Sequence, residues 1–284
     1  MSKRSGDSLK KARTNLAMLH DRSLIINENT SFSIKEEYKT LRTNVLFSFP
    51  SSACKVIGIS SAQPFEGKSI NCLNLAIAFA QTSAHVLLID CDLRLPSQAW
   101  LLDLDSIPGL SNVLVGMNTE AEAIQKTKYS GVDVLLSGDI PPNPSELIGS
   151  ESMGKLIEKL SRNYDYIFVD LPPINVVADT AVMSKYLSGL ILVVRAVVST
   201  RESVIKAISK LELVNANIIG VILTGVKKKP MFVKDYRKYG NYDKYGHIKN
   251  NSYTGITNKA VSLIKQTFCL KATVKFRSSS RALS

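Results

Sequence analysis

At 284 residues the chain can bury a full core, and its length fits one domain or two. Its most continuous apolar run, residues 190–198, is interrupted by Arg195 and is far shorter than the ~18 apolar residues of a membrane span, which excludes a spanning segment and leaves a protein that is soluble or held at a membrane by something else. The net charge of +12 sits at one end: residues 1–226 hold 22 Lys plus Arg against 22 Asp plus Glu, whereas residues 227–284 hold 14 against 2.

Such a basic tail could touch nucleic acid, an anionic lipid leaflet or only water. Cys54, Cys72, Cys91 and Cys269 form no close pair, and no signal peptide is visible, so they read as reduced thiols in the cytosol. In chain order, residues 1–30 are polar, mixed in charge and without period, which marks a flexible N-terminal arm. Residues 34–49, IKEEYKTLRTNVLFSF, place Ile34, Tyr38, Leu41 and Val45 at helical spacing, with Glu36, Lys39 and Arg42 three apart. The result is an amphipathic helix that either packs on its own domain or docks on a neighbouring subunit; residue pattern alone favours the first.

Residues 55–70, KVIGISSAQPFEGKSI, form an apolar run that feeds a turn ending in Glu66-Gly67-Lys68-Ser69. A strand delivered through a glycine turn into a helix aims backbone N–H groups and the positive helix end at one spot, which suits phosphate. Lys68 would reach the β and γ phosphates, and the Ser69 hydroxyl would ligate Mg²⁺. The phosphate-loop pattern is half met, since Ala62 stands where its first glycine belongs. The next segments supply the context that the motif requires: NCLNLAIAFAQT reads as a buried helix and HVLLID as a second strand.

Strands are expected at 56–60, 86–90, 132–136, 166–170, 189–194 and 218–223, with helices at 69–81, 110–115, 144–160, 178–186 and 201–214. Strands that alternate with helices and are apolar on both faces argue for a parallel sheet covered on both sides, with its site at the carboxyl ends of the strands. Three acids fall there: Asp90 and Asp92 in VLLIDCDLR, and Asp170 in YIFVDLPP. A carboxylate directly after buried apolar residues is costly unless it meets a polar site. Each alone could be a structural cap; three beside a Gly-Lys-Ser loop form a metal and phosphate site.

Together SSAQPFEGKS, VLLIDCDLRLP and YDYIFVDLPPI resemble the Walker A, A′ and B motifs of the bacterial tyrosine kinases of capsular and exopolysaccharide biosynthesis. EEYKTLRTN is similar to that family's Glu-x-x-Arg-x-x-Arg oligomerisation helix, with Lys39 in place of the first arginine. SGDIPPNPSELIGS and VADTAVMSKYLSGLILVVRAVVSTRESV are similar to further family segments. The resemblance implies an α/β P-loop NTPase fold of deviant Walker type, with a mostly parallel, doubly wound sheet flanked by helices, over residues 31–226. It implies an ATP- and Mg²⁺-dependent autokinase: Glu66, Gly67, Lys68, Ser69 and Ile70 on the phosphates, Ser69, Asp92 and Asp170 on Mg²⁺, and Asp90 orienting and deprotonating the acceptor hydroxyl.

Residues 227–253 put Tyr236, Tyr239, Tyr242, Tyr245 and Tyr253, five of the ten tyrosines, into eighteen residues. Aromatics in a basic segment could stack on single-stranded bases, but the threefold spacing fits phosphate acceptors better, and no specific nucleic acid is expected. By resemblance the tail of one subunit enters its neighbour's site in a homo-oligomeric ring that Glu36, Lys39 and Arg42 help to close, and phosphorylation opens the ring. The same resemblance implies a transmembrane adaptor that recruits a cytoplasmic kinase to the inner face of the membrane, and a cognate tyrosine phosphatase.

Phe65 replaces a family glycine, Ile70 a threonine, Leu171 a threonine and Thr224 an asparagine that reads adenine. These departures leave two alternatives open: a partitioning-type ATPase switch, or a nucleotide-binding scaffold weakened by Phe65. Residues 254–284 form a basic extension without an assigned role.

Overall fold

The computed structural model describes residues 22–49, 54–196 and 198–226. The tail tyrosines, the extension and residues 1–21 of the arm lie outside them. Among the described residues no helix is long and apolar enough to cross a membrane.

Seven strands form one sheet: β1 (Lys55–Ser61), β2 (Val86–Asp90), β3 (Ile124–Lys126), β4 (Val132–Leu135), β5 (Tyr166–Asp170), β6 (Gly189–Arg195) and β7 (Ile218–Thr224). Their order is β3-β4-β2-β5-β1-β6-β7, parallel throughout except for the short edge strand β3. The chain is thus an α/β protein with a doubly wound sheet. The expected strands are all present, and β2 and β5 have the expected bounds. Strands buried on both faces carry almost unbroken apolar runs, and that run is what the residue pattern displays.

The two faces divide the core by the twofold alternation of each strand. Ile167 and Val169 pack on one side with Leu87, Ile89, Leu190 and Leu192. Phe168 packs on the other with Ile57, Ile59, Leu88 and Ile191, beneath helix α2 (Lys68–Ala80). Phe79 of α2 meets Tyr166 and Phe168 edge-on, with ring centroids 4.6 and 5.1 Å apart. Every residue of α2 from Ile70 to Ala80 is buried, which fixes the helix axis and so the position of its first turn.

Helix α1 (Phe32–Leu46) precedes the sheet and packs on α2 through Tyr38, Leu41 and Val45. Arg42 donates to the Ala78 carbonyl at 2.6 Å, satisfying an acceptor in the last turn of α2. Glu36 and Lys39 pair with each other at 2.7 Å on the exposed side, an arrangement worth ~0–1 kcal/mol. Only Val45 of this helix is buried, and Phe32, Ile34 and Phe47 are exposed.

The remaining helices are α3 (Gln98–Leu102), α4 (Leu110–Leu114), α5 (Glu120–Ala123), α6 (Pro144–Gly149), α7 (Glu151–Leu160), α8 (Asp179–Met183) and α9 (Arg201–Leu213). The single helix expected over 144–160 is broken at Ser150, whose extended backbone lets its Oγ accept from Met153 N–H and start α7 as an N-cap. The helix expected over 178–186 becomes α8 followed by a 3₁₀ turn, Ser184–Tyr186.

The arm differs most from expectation. Within residues 22–30 Ile25 and Ile26 are buried, and the Asn74 side chain accepts from Ile26 N–H at 2.9 Å and donates to the Leu24 carbonyl at 3.0 Å. Arg22 lies over the Trp100 ring and pairs with Asp103 at 2.8 Å. Two isoleucines are too short a run to show a period, so the residue pattern of the arm does not reveal the burial of Ile25 and Ile26.

Candidate active site

Parallel pairing places Asp90 at the end of β2 directly opposite Asp170 at the end of β5, and Asp170 beside Ile59 of β1. The loop after β1 then turns into α2 on the same edge. At Gly67 the backbone has φ +94°, the left-handed N-cap conformation that lets the chain enter the helix. The first intrahelical bond runs from Asn71 N–H to the Gly67 carbonyl at 3.1 Å, so the N–H groups of Lys68, Ser69 and Ile70 precede it. The Ile70 side chain is buried, and what it offers the site is its backbone.

Lys68 reaches back over the strand ends. Its Nζ lies 2.9 Å from Asp92 Oδ2, 3.4 Å from Asp170 Oδ1 and 3.2 Å from Ser69 Oγ. Burial works to lower the Lys68 pKa, but Asp170, Asp92 and Asp90 outweigh it and raise it, so the ammonium stays charged. Burial followed by the Asp170 charge pushes Asp90 up to about 7. Asp170 is likewise raised by burial, against the pull of Lys68. Three nearly or wholly buried carboxylates therefore share one lysine. Arg94 does not join them: its Nε donates to buried Asp179 at 2.9 Å, tying the loop after β2 to α8.

Asp90 also organises this loop. Its Oδ2 accepts from Ser97 N–H at 3.1 Å and Gln98 N–H at 2.9 Å, and its Oδ1 accepts from Asp92 N–H at 3.2 Å. Those bonds fix Asp92 and begin α3. Gln98, which no motif singles out, is fully buried at the centre of the site. Its Nε2 donates to Asp170 Oδ2 at 2.8 Å and to the Ser69 carbonyl at 3.1 Å. Gln98 Oε1 is buried without a partner among the described residues.

Glu66 braces the loop rather than facing a ligand: its buried carboxylate accepts from Gln63 N–H at 3.0 Å and from the Ser199 hydroxyl. Thr224 Oγ1 donates to the Glu66 carbonyl at 3.1 Å, and Arg195 donates to the Phe65 carbonyl at 3.0 Å. Phe65 itself has φ +64° and is 88% exposed. A side chain in place of the family glycine could bring strain or block access. Strain is present, at roughly 1–2 kcal/mol for a side chain with Cβ in this region, whereas the ring points to solvent.

The donor set suits Mg²⁺ and a nucleotide. Ser69 Oγ, Asp92 and Asp170 are hard oxygen ligands, and a divalent cation would neutralise charge that Lys68 alone leaves unbalanced. Among the described residues no cluster of His, Cys, Asp and Glu forms a metal cage. Oxygens of phosphate and water would then complete the shell, as Mg²⁺ prefers, and the orphaned Gln98 Oε1 is a ready acceptor for such a water. A cavity of about 620 Å³ opens at the amino ends of the central strands, lined by Phe49, Lys55, His85 and Tyr164, remote from these groups.

Comparison with known proteins agrees with this geometry. Residues 54–219 match an AAA domain family model. "Tyrosine-protein kinase YwqD" of Bacillus subtilis is 37% identical over 210 residues, which are 74% of this chain and 88% of that protein. "Putative tyrosine-protein kinase CapB" of Staphylococcus aureus is 34% identical over 70% of this chain and 88% of its own. The chain belongs to the bacterial protein-tyrosine kinases. A crystal structure of the chimerical protein CapA2B2 superposes on this kinase with TM-score 0.69, 37% identity, and coverage of 72% of this chain and 91% of the other.

Proposed function

We propose that this kinase is an ATP-dependent autokinase that modifies Tyr236, Tyr239, Tyr242, Tyr245 and Tyr253 of another copy, and so regulates capsular or exopolysaccharide synthesis and export. The observation that carries the reading is the convergence of Lys68, Ser69, Asp92 and Asp170 at the first turn of α2. Lys68 and the N–H groups of residues 66–70 hold the phosphates, while Ser69, Asp92 and Asp170 hold Mg²⁺, directly or through water. Bound Mg²⁺ supplies charge neutralisation on the transferring phosphoryl group.

The acceptor phenol's oxygen forms a bond to the γ phosphorus as the bridging bond to ADP breaks. The phenolic proton passes to Asp90. Asp90 Oδ1, with a single bond to Asp92 N–H, keeps a lone pair for it.

The exposed apolar residues of α1 and the outward Glu36–Lys39 pair support a ring of subunits, while Arg42 serves the α1–α2 contact within its own chain. A transmembrane adaptor of the polysaccharide co-polymerase type recruits the kinase to the inner face of the membrane, and a tyrosine phosphatase resets it. Outward placement of Phe65 favours catalysis over the scaffold reading, because the ring does not fill the phosphate site.

Incubation with Mg²⁺ and ATP, with and without a candidate adaptor peptide, should yield phosphotyrosine in step with the ATP consumed. ATP hydrolysis without phosphotyrosine, even with a functional adaptor, would mark a partitioning-type switch.

A further inference from the structure

Phe65 combines two features that work against the stability of this chain: a left-handed backbone and a large aromatic ring left 88% exposed. The conformation is held from several sides. Arg195 fixes the Phe65 carbonyl at 3.0 Å, Thr224 the Glu66 carbonyl at 3.1 Å, and the Glu66 carboxylate clamps Gln63 and Ser199. The ring is thus presented outward on a rigid mount.

Two further exposed apolar residues adjoin partners of the loop after β1. Val198, 56% exposed, directly precedes Ser199. Val176, 57% exposed, is the neighbour of Asn175, whose N–H donates to the Ala62 carbonyl at 3.2 Å.

The described chain ends beside this loop as well. Val226 lies two residues beyond Thr224, the residue that holds the Glu66 carbonyl. The segment that begins here carries tyrosines at 236, 239, 242 and 245, interleaved with lysines. Aromatic rings attract one another in stacked or edge-on pairs, and lysine ammonium groups bind aromatic faces.

We propose that Phe65 is a specificity-determining docking residue for the segment 236–253 of another copy, its ring receiving one tyrosine of the series while another occupies the transfer site. The proposal rests on the reading of that segment as the acceptor. A spacing of three would let successive tyrosines exchange between the two positions, so that one aromatic residue serves several acceptors.

Two measurements test it on the full-length chain. A synthetic peptide of residues 232–256 is titrated as acceptor against the unaltered kinase, Phe65→Gly, Phe65→Ala and Phe65→Trp. Expected is a rise in peptide KM of about three- to tenfold in Phe65→Gly and Phe65→Ala, with Phe65→Trp close to the unaltered chain. Glycine relieves the backbone strain and alanine does not, so a KM effect common to both belongs to the ring. An unchanged peptide KM, with kcat raised in Phe65→Gly alone, would overturn the proposal and make Phe65 a source of strain only.

Independently, p-benzoyl-phenylalanine at position 65 should photo-crosslink to peptides from residues 227–256. Crosslinks confined to other regions, or none above background, would overturn it. This second readout does not require turnover. Failure of the autokinase reading would instead appear as no phosphotyrosine in the unaltered chain.

Discussion

Lys68→Met should lower phosphotyrosine formation by roughly 10³-fold or more, because it removes the cation that, among the described residues, faces all three carboxylates at the strand ends, where the transferring phosphate is proposed to bind. It should also change the stability of the metal- and nucleotide-free protein. Lys68 is 2.9 Å from a carboxylate that is 4% exposed and 3.4 Å from another that is fully buried. Removing one partner of a buried pair typically costs about 3–5 kcal/mol, since the remaining charges stay desolvated. Here Asp90 and Asp170, both raised by burial, can take up protons instead, so the loss should be greatest near pH 8 and smaller near pH 5.5. Urea unfolding at both pH values checks this, and an equal loss at both would contradict it.

The second large effect is a stability that falls as pH rises. Asp90 ordinarily titrates at 3.8 and in the fold at about 7. Between those values the folded state binds more protons than the unfolded chain, so the linkage slope is negative. Unfolding free energy should therefore decline from about pH 4 to pH 7 and level off above it. The contribution of this residue is at most ~1.4 kcal/mol per pH unit, or about 3 °C in melting temperature for a domain of this size. The raised Asp170 acts in the same direction.

Thermal melts in chelator without nucleotide should show the decline, and Asp90→Asn should flatten it. A melting temperature that climbs from pH 5 to pH 7 would show that these carboxylates are paired rather than penalised. Asp90→Asn should also reduce phosphotyrosine formation by ~10²-fold or more, since Asp90 holds Asp92 and Gln98 through their backbone N–H groups.

Much of the kinase was legible in its residues because its sheet is buried on both faces. VLLID and YIFVD announced strands β2 and β5 with their terminal aspartates, and parallel register then brings Asp90 and Asp170 together. β3 and α3 were hidden, because IQK and QAWLL are too short and too mixed in polarity to repeat any pattern. The residues do carry a signal for α5, since Thr119 and Glu122 form a capping box. Gln98 could not be found by motif. It matters through contacts with Asp90, Ser69 and Asp170, and one glutamine in a loop carries no mark of that.

Phe65 shows the reverse case. Its replacement of a glycine was visible in the chain, and the positive φ comes from the turn, but only the fold places the ring outward. Likewise the Arg42 contact with Ala78 depends on how α1 crosses α2, whereas the Glu36–Lys39 pair comes from helical spacing alone.

Transfer of phosphate from this site to the tail tyrosines of another copy can be measured directly by mixing two full-length proteins with Mg²⁺, ATP and a functional adaptor. One carries Phe at positions 236, 239, 242, 245 and 253 and has an intact site. The other is Lys68→Met with its tyrosines intact. Phosphopeptide mass spectrometry should find phosphate on the tail of the Lys68→Met chain, rising with the concentration of its partner. Consumption of ATP with that tail unmodified would contradict transfer between copies.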